Sequence, residues 1–171
     1  MRVAGYISAI LISLGVVFGG CTTVSKMQRP LPEVKVQDED GQKSTAKIAL
    51  FSLKNYTDTP QAGMRAANLL EGILITKGYS IISHVNEASV EFDKALSTAK
   101  KEGAAYFVMG GVSEWRYKTG IDGEPAVSLQ ITIYDASNGE VLWSATGSDS
   151  DWGNESIGTT AHNLIELLVA Q

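Results

Sequence analysis

Glu114, Asp122 and Glu124 lie close together in the chain, and glycoside cleavage uses such a grouping, with one carboxyl held protonated and another ionised across the sugar ring. The whole chain carries 19 Asp plus Glu against 14 Lys plus Arg, so neighbouring carboxylates arise here without any catalytic reason. His84 and His162 are far apart, and neither has a second His or Cys at metal-ligand spacing, so both read as structural histidines. Asp149-Ser150-Asp151 matches the opening of a calcium loop, yet Gly153 comes one residue early and the distal Glu is missing. No glycine-rich phosphate loop follows any strand pattern. These residues predict no catalytic group, no metal site and no cofactor.

Cys21 is different, because its chemistry is set by what precedes it. Arg2 is followed by a run without charge from Val3 to Gly20, and the small pair Gly19-Gly20 stands directly before the chain's single Cys. The run is about as long as a marginal membrane span, so its length alone leaves a signal anchor open. The Cys favours a lipoprotein signal over residues 1–20. Small residues let a peptidase reach the cleavage point, and the sulfur nucleophile takes diacylglycerol before the cut. Phe18 stands where Leu is usual. A lone Cys also excludes an internal disulfide. Thr22 in place of Asp after the Cys predicts sorting onward to the periplasmic leaflet of the outer membrane.

Without Arg2 the mature chain has 13 basic and 19 acidic side chains, a balance of −6 that makes nucleic acid a poor partner. The excess is local. Residues 22–109 hold 11 basic and 10 acidic groups, whereas 110–171 hold 2 and 9. An ordinary solvated surface and a field directed at a cationic partner both account for that asymmetry.

The elements that must position these groups follow from periodicity. The 151 residues left after the signal suffice for one domain. Residues 21–46 are polar, contain Pro30, Pro32 and Asp38-Glu39-Asp40, and read as a lipidated flexible tether, extending ~3.1 Å per residue where proline-rich. The domain spans 47–171. It opens with a strand at 47–53, a helix over about 60–77 that Thr59-Pro60 starts and Gly78 stops, a strand at 79–83, and a helix over 91–102 ended by Gly103. A long strand follows over 104–118, and then Val127, Leu129, Ile131 and Ile133 alternate with Ser128, Gln130, Thr132 and Tyr134 to give a strand with one wet face. Asn138-Gly139 predicts a hairpin turn into 140–147, and a last helix starts near Asn154. The order βαβαβββα specifies a single α/β domain with a mixed sheet.

Trp115 and Trp143 fall within strand patterns and read as core. Trp152 falls in a polar connector between Asp151 and Gly153, where it either meets the membrane headgroups or folds back on the last helix.

Four stretches carry a likeness: Asn55-Tyr-Thr-Asp-Thr-Pro-Gln-Ala-Gly63, Glu114-Trp-Arg-Tyr-Lys-Thr-Gly-Ile-Asp-Gly-Glu-Pro125, Val141-Leu-Trp-Ser-Ala-Thr-Gly147 and Asp151-Trp-Gly153. With the lipobox, the chain from 47 to 170 resembles the PelC family, outer-membrane lipoproteins of Pel exopolysaccharide export. The phrase from Ala99 to Gly111 is shared more loosely with TolB N-terminal-like and curli-channel-like α/β domains. Gly153-Asn154 departs from the Ser-Arg pair expected there.

The resemblance implies a non-enzymatic homo-oligomeric ring, a dodecamer in the family, beneath the outer-membrane protein PelB. Such a ring would guide a cationic, partly deacetylated polysaccharide. Asp122, Glu124 and Glu114 would supply the guiding surface, with Cys21 lipidated and Trp152 at the membrane. A periplasmic glycan hydrolase or deacetylase is the alternative from another class. A protein-secretion channel subunit is a third, but it needs a membrane-spanning hairpin for which no uncommitted segment is long enough.

Overall fold

A computed structural model of the protein describes residues 21–37, 43–118, 123–151 and 155–170. The expected signal at 1–20, Asp38-Glu39-Asp40, Asp122 and Trp152 lie outside the described residues. The elements run β1 (Thr23–Lys26), β2 (Lys35–Gln37), β3 (Lys43–Thr45), β4 (Lys47–Phe51), β5 (Lys54–Asn55), α1 (Ala62–Thr76), β6 (Ser80–His84), α2 (Phe92–Lys101), β7 (Tyr106–Tyr117), β8 (Pro125–Asp135), β9 (Val141–Ser150) and α3 (Ile157–Leu168). One sheet is ordered β1-β9-β8-β7-β4-β6, with β5 also on β7, while β2 and β3 pair separately. The ladders of β4 with β6 and with β7 are parallel, and those among β7, β8, β9 and β1 are antiparallel. The mixed α/β domain is therefore as expected.

Helices α1 and α3 cover one face. The apolar half of the β8 alternation, Val127, Leu129, Ile131 and Ile133, is buried there with Val108, Val112, Trp115, Trp143 and Ala145. Against them α1 sets Ala66, Leu70, Ile73 and Leu74, and α3 sets Ala161, Leu164, Ile165 and Leu168. Burying each such aliphatic side chain contributes about 1.5–3 kcal/mol, so this face is where the stability sits. Among the described residues the opposite face is covered at one end, where Ala95 and Ala99 of α2 close a smaller cluster over Ala49, Phe51 and Phe107. Gly78 and Gly103 end their helices at φ +94 and φ +68, as their positions in the sequence imply.

The tether does not survive in the structure. Thr23–Lys26 adds an antiparallel edge strand to β9, from Thr23 opposite Ser148 to Lys26 opposite Ala145. Further on, Leu31 is buried in the main core, and the Tyr79 hydroxyl donates to the Pro32 carbonyl. Burial, with Tyr106 nearby, pushes the Tyr79 phenol up to about 12, so it stays a donor at any physiological pH. The described part of residues 21–46 belongs to the domain, because β9 would otherwise present an unpaired edge and Leu31 an exposed apolar surface.

Candidate functional site

Strand directions decide which of the predicted residues meet. β7 ends where β8 begins, and β9, antiparallel to β8, ends beside that junction. β1 starts beside the end of β9. The Cys21 amide donates to the Ser150 carbonyl at 3.1 Å, the Thr22 hydroxyl to Asp149 at 2.6 Å, and the Asp151 amide to the Pro125 carbonyl at 3.3 Å. The Ile157 amide donates to the Tyr117 hydroxyl at 3.1 Å, tying the start of α3 to the same place. The exposed Cys21, Lys118 with Glu124, and Asp151 at the end of β9 thus share one end of the sheet.

The carboxylates there differ from expectation. Glu124, in a glycine- and proline-containing turn, is expected to be exposed, yet its side chain is 19% exposed and lies 3.7 Å from Lys118 Nζ. Glu114 pairs with Arg116 Nη2 at 2.8 Å, as neighbours two apart on one face of a strand can. Each described carboxylate of the predicted guiding surface therefore carries its own cation, and the local field is weaker than the acidic composition suggested.

His84, at the end of β6, escapes sequence reasoning as an electrostatic centre because one of its partners is distant in sequence. Its ring stacks on Phe51 with centroids 4.9 Å apart, and its two nitrogens lie 2.9 Å from Glu87 and 2.9 Å from Glu102. Burial lowers its pKa, but the hydrogen bonds and charges of Glu102 and Glu87 outweigh that and leave it above its ordinary value. A raised folded pKa stabilises the protein fully below the unfolded value near 6.5 and ceases to do so as pH rises through the folded value. The stability lost in His84→Gln should therefore be larger at about pH 5.5 than at about pH 8.5 in urea melts. An equal loss at both would show that the imidazole is not charged in the fold. His162 is simpler, an exposed partner of Glu166 one helical turn on.

A groove of about 390 Å³ opens on the part of the sheet that α2 leaves bare, lined among others by Tyr56, Phe92, Ser113, Gln130, Thr132 and Thr146. Register explains its polarity. The outward row Ser128-Gln130-Thr132 of β8 faces Ser148-Thr146-Ser144 of β9, pair by pair. The wet half of the β8 alternation is legible in the sequence, whereas the matching row and the folding of Tyr56 over Gly111 are not. On the helical face, Trp115 is 3% exposed and lines an apolar groove with Leu69 and Ile157. Its indole Nε1 is buried and, among the described residues, without a hydrogen-bond partner. Trp143 is core, as expected. No three His, Cys, Asp or Glu side chains gather as metal ligands among the described residues.

The fold is similar to solved structures. Two crystal structures of the PelC dodecamer from Paraburkholderia phytofirmans match at 34% and 33% identity, with TM-scores of 0.72 and 0.71. Each match covers 88% of this chain and 96% of that one. Lipoprotein GNA1162 from Neisseria meningitidis shares the fold at 21% identity and a TM-score of 0.55, covering 72% of this chain and 95% of that one. No protein-family model matches the chain, and no curated protein does.

Proposed function

The chain belongs to the PelC family, and from that premise we propose that it is a non-enzymatic, lipid-anchored subunit of a periplasmic ring that guides a cationic exopolysaccharide to an outer-membrane pore of the PelB kind. The observation that carries this reading is the likeness to a dodecameric protein over nearly all of that protein's length. The shared end of Cys21, the pair of Lys118 with Glu124 and the end of β9 supports it. A lipid on Cys21 draws that end to the inner leaflet of the outer membrane. That end, with Lys118 and Glu124, would then face the place where polymer leaves the ring, and Trp152, two residues beyond Ser150 in the chain, supplies an indole suited to headgroups.

Charge at this end acts by repetition. The predicted guiding residues Glu114, Asp122 and Glu124 against Arg116 and Lys118 leave −1 per copy, to which Asp149, Asp151 and Glu155 add, and a ring of twelve copies, the number in the related structures, would repeat that around one opening. Single exposed pairs contribute only ~0–1 kcal/mol, so one substitution changes folding little, while the field of the ring changes with every subunit. Asp122→Lys is expected to keep the melting temperature and oligomer mass but reduce polymer secretion, and Glu124→Lys, which also strips Lys118 of its partner, to deepen the defect. Added salt should weaken polymer binding, because exposed charges are screened. Normal secretion from the double variant at normal protein level would overturn guidance by this segment.

A further inference from the structure

The groove on the bare sheet face is remote in chemistry from the acidic end, and guidance by charge makes no use of it. Its position follows from topology. β6, β4 and β7 lie side by side in that order, so the chain leaves β4 for one neighbour by way of α1 and reaches the other by way of α2. Ligands of open α/β sheets bind beyond the carboxyl end of the central strand at such a reversal of strand order, and here the segment that leaves β4 stays on β7, Lys54 opposite Gly111, with the groove over that pair. The groove is lined by Ser52, Lys54 and Tyr56 of the segment that follows β4 and by Met109, Gly110, Gly111 and Ser113 of β7. Its volume falls within the range of small-molecule clefts, roughly 300–1,000 Å³.

The lining has a definite character. Gln130 and Thr146, both exposed, present amide and hydroxyl groups, and the paired rows of β8 and β9 continue that surface through Ser128 and Ser148, while Thr132 is buried with its hydroxyl on that of Ser144. Its two charged lining residues, Lys54 and Glu91, are paired at 3.5 Å, and Lys54 Nζ also stands 5.9 Å from the centroid of the Tyr56 ring. Over this floor stands Tyr56, 66% exposed, so close to Gly111 that a Cβ there would lie 2.7 Å from its ring. An exposed aromatic ring beside uncharged donors and acceptors matches a pyranose, whose C–H face packs on the ring while its hydroxyl or acetamido groups bond to the floor.

We infer that this groove is a saccharide subsite for an uncharged pyranose residue, with Tyr56 as the stacking platform and Gln130 and Thr146 as hydrogen-bonding contacts. The inference rests on the exopolysaccharide reading and adds a division of labour to it. The acidic end attracts cationic residues of the polymer, and the groove holds uncharged, N-acetylated ones.

Calorimetry on the full lipidated protein in a zwitterionic detergent without a sugar headgroup tests this, with tetramers of N-acetylglucosamine and of glucosamine as probes. The acetylated tetramer should bind with little salt dependence. Tyr56→Ala should weaken it roughly three- to tenfold, Gln130→Ala should also weaken it, and Tyr56→Phe should restore it. Asp122→Lys should leave it unchanged. Binding of the glucosamine tetramer alone would overturn the subsite and leave guidance by charge standing, whereas binding of neither would remove both. A Tyr56→Ala protein with altered oligomer mass and unaltered saccharide binding would show instead that this face packs against a second copy.

Discussion

Gly63→Ala should destabilise the domain by about 3 kcal/mol or more, enough to unfold much of it at growth temperature, although the change adds a single methyl group. Gly63 is in the first turn of α1 and buried. A Cβ at that position would lie 1.8 Å from the Leu53 carbonyl oxygen and 2.8 Å from its carbon. Both are backbone atoms of the segment leaving β4, so no rotamer change can make room. The helix would have to lift, and Ala66, Ala67 and Leu70 would rise with it from a core that leaves them no exposure. Gly72 provides the control within the same helix. It is exposed, and a methyl group there would meet nothing within 4 Å, so Gly72→Ala should stabilise by roughly 0.5–1 kcal/mol through helix propensity. Urea melts of the two variants decide the matter. If Gly63→Ala melts within a few tenths of a kcal/mol of the parent, α1 does not press on Leu53 as the structure has it.

The same contact shows what a sequence can and cannot disclose. The helical stripes, the β8 alternation and the Asn138-Gly139 turn are local patterns, and the structure follows them: Gly139 adopts φ +80 and its amide donates to the Asp135 carbonyl at 2.8 Å. The start of α1 is not local. Thr59 is the expected cap, but its hydroxyl donates to the Trp115 carbonyl, and the cap falls instead on Gln61 at φ +61. Edge strand β1 is illegible for a related reason. Thr23–Lys26 turns only Val24 toward the core, and what makes it a strand is the open edge of β9. The candidate site divides the same way. Glu114 and Arg116 are two apart on one strand, so their pairing could have been read, whereas Lys118 beside Glu124 and His84 between Glu87 and Glu102 depend on how the chain returns.

Cys21→Ser should abolish anchoring altogether. In the proposed reading a lipid is joined through a thioether before residues 1–20 are removed, and a serine hydroxyl does not form that bond, so the variant should keep residues 1–20 and accumulate as precursor. Stable attachment takes two or more acyl chains, each buried CH₂ contributing about 0.8 kcal/mol, and nothing else in the proposed reading replaces them. The folded domain makes the loss more than one of address. Only Thr22 separates Cys21 from β1, and both residues are already bonded to β9, Cys21 through its amide and Thr22 through its hydroxyl. In the proposed reading, a lipid there would hold the domain in one orientation, with the end of β9 and the start of β8 toward the membrane. In the parent protein, then, brominated lipids placed near the headgroups should quench tryptophan emission, and Trp152→Ala should remove that quenching, since Trp115 and Trp143 are buried. Labelled fatty acid provides the direct assay of the anchor. Its incorporation into Cys21→Ser, or a mature-sized product from that variant, would disprove lipidation at this position. Quenching that persists in Trp152→Ala would show that the membrane meets a different face of the domain.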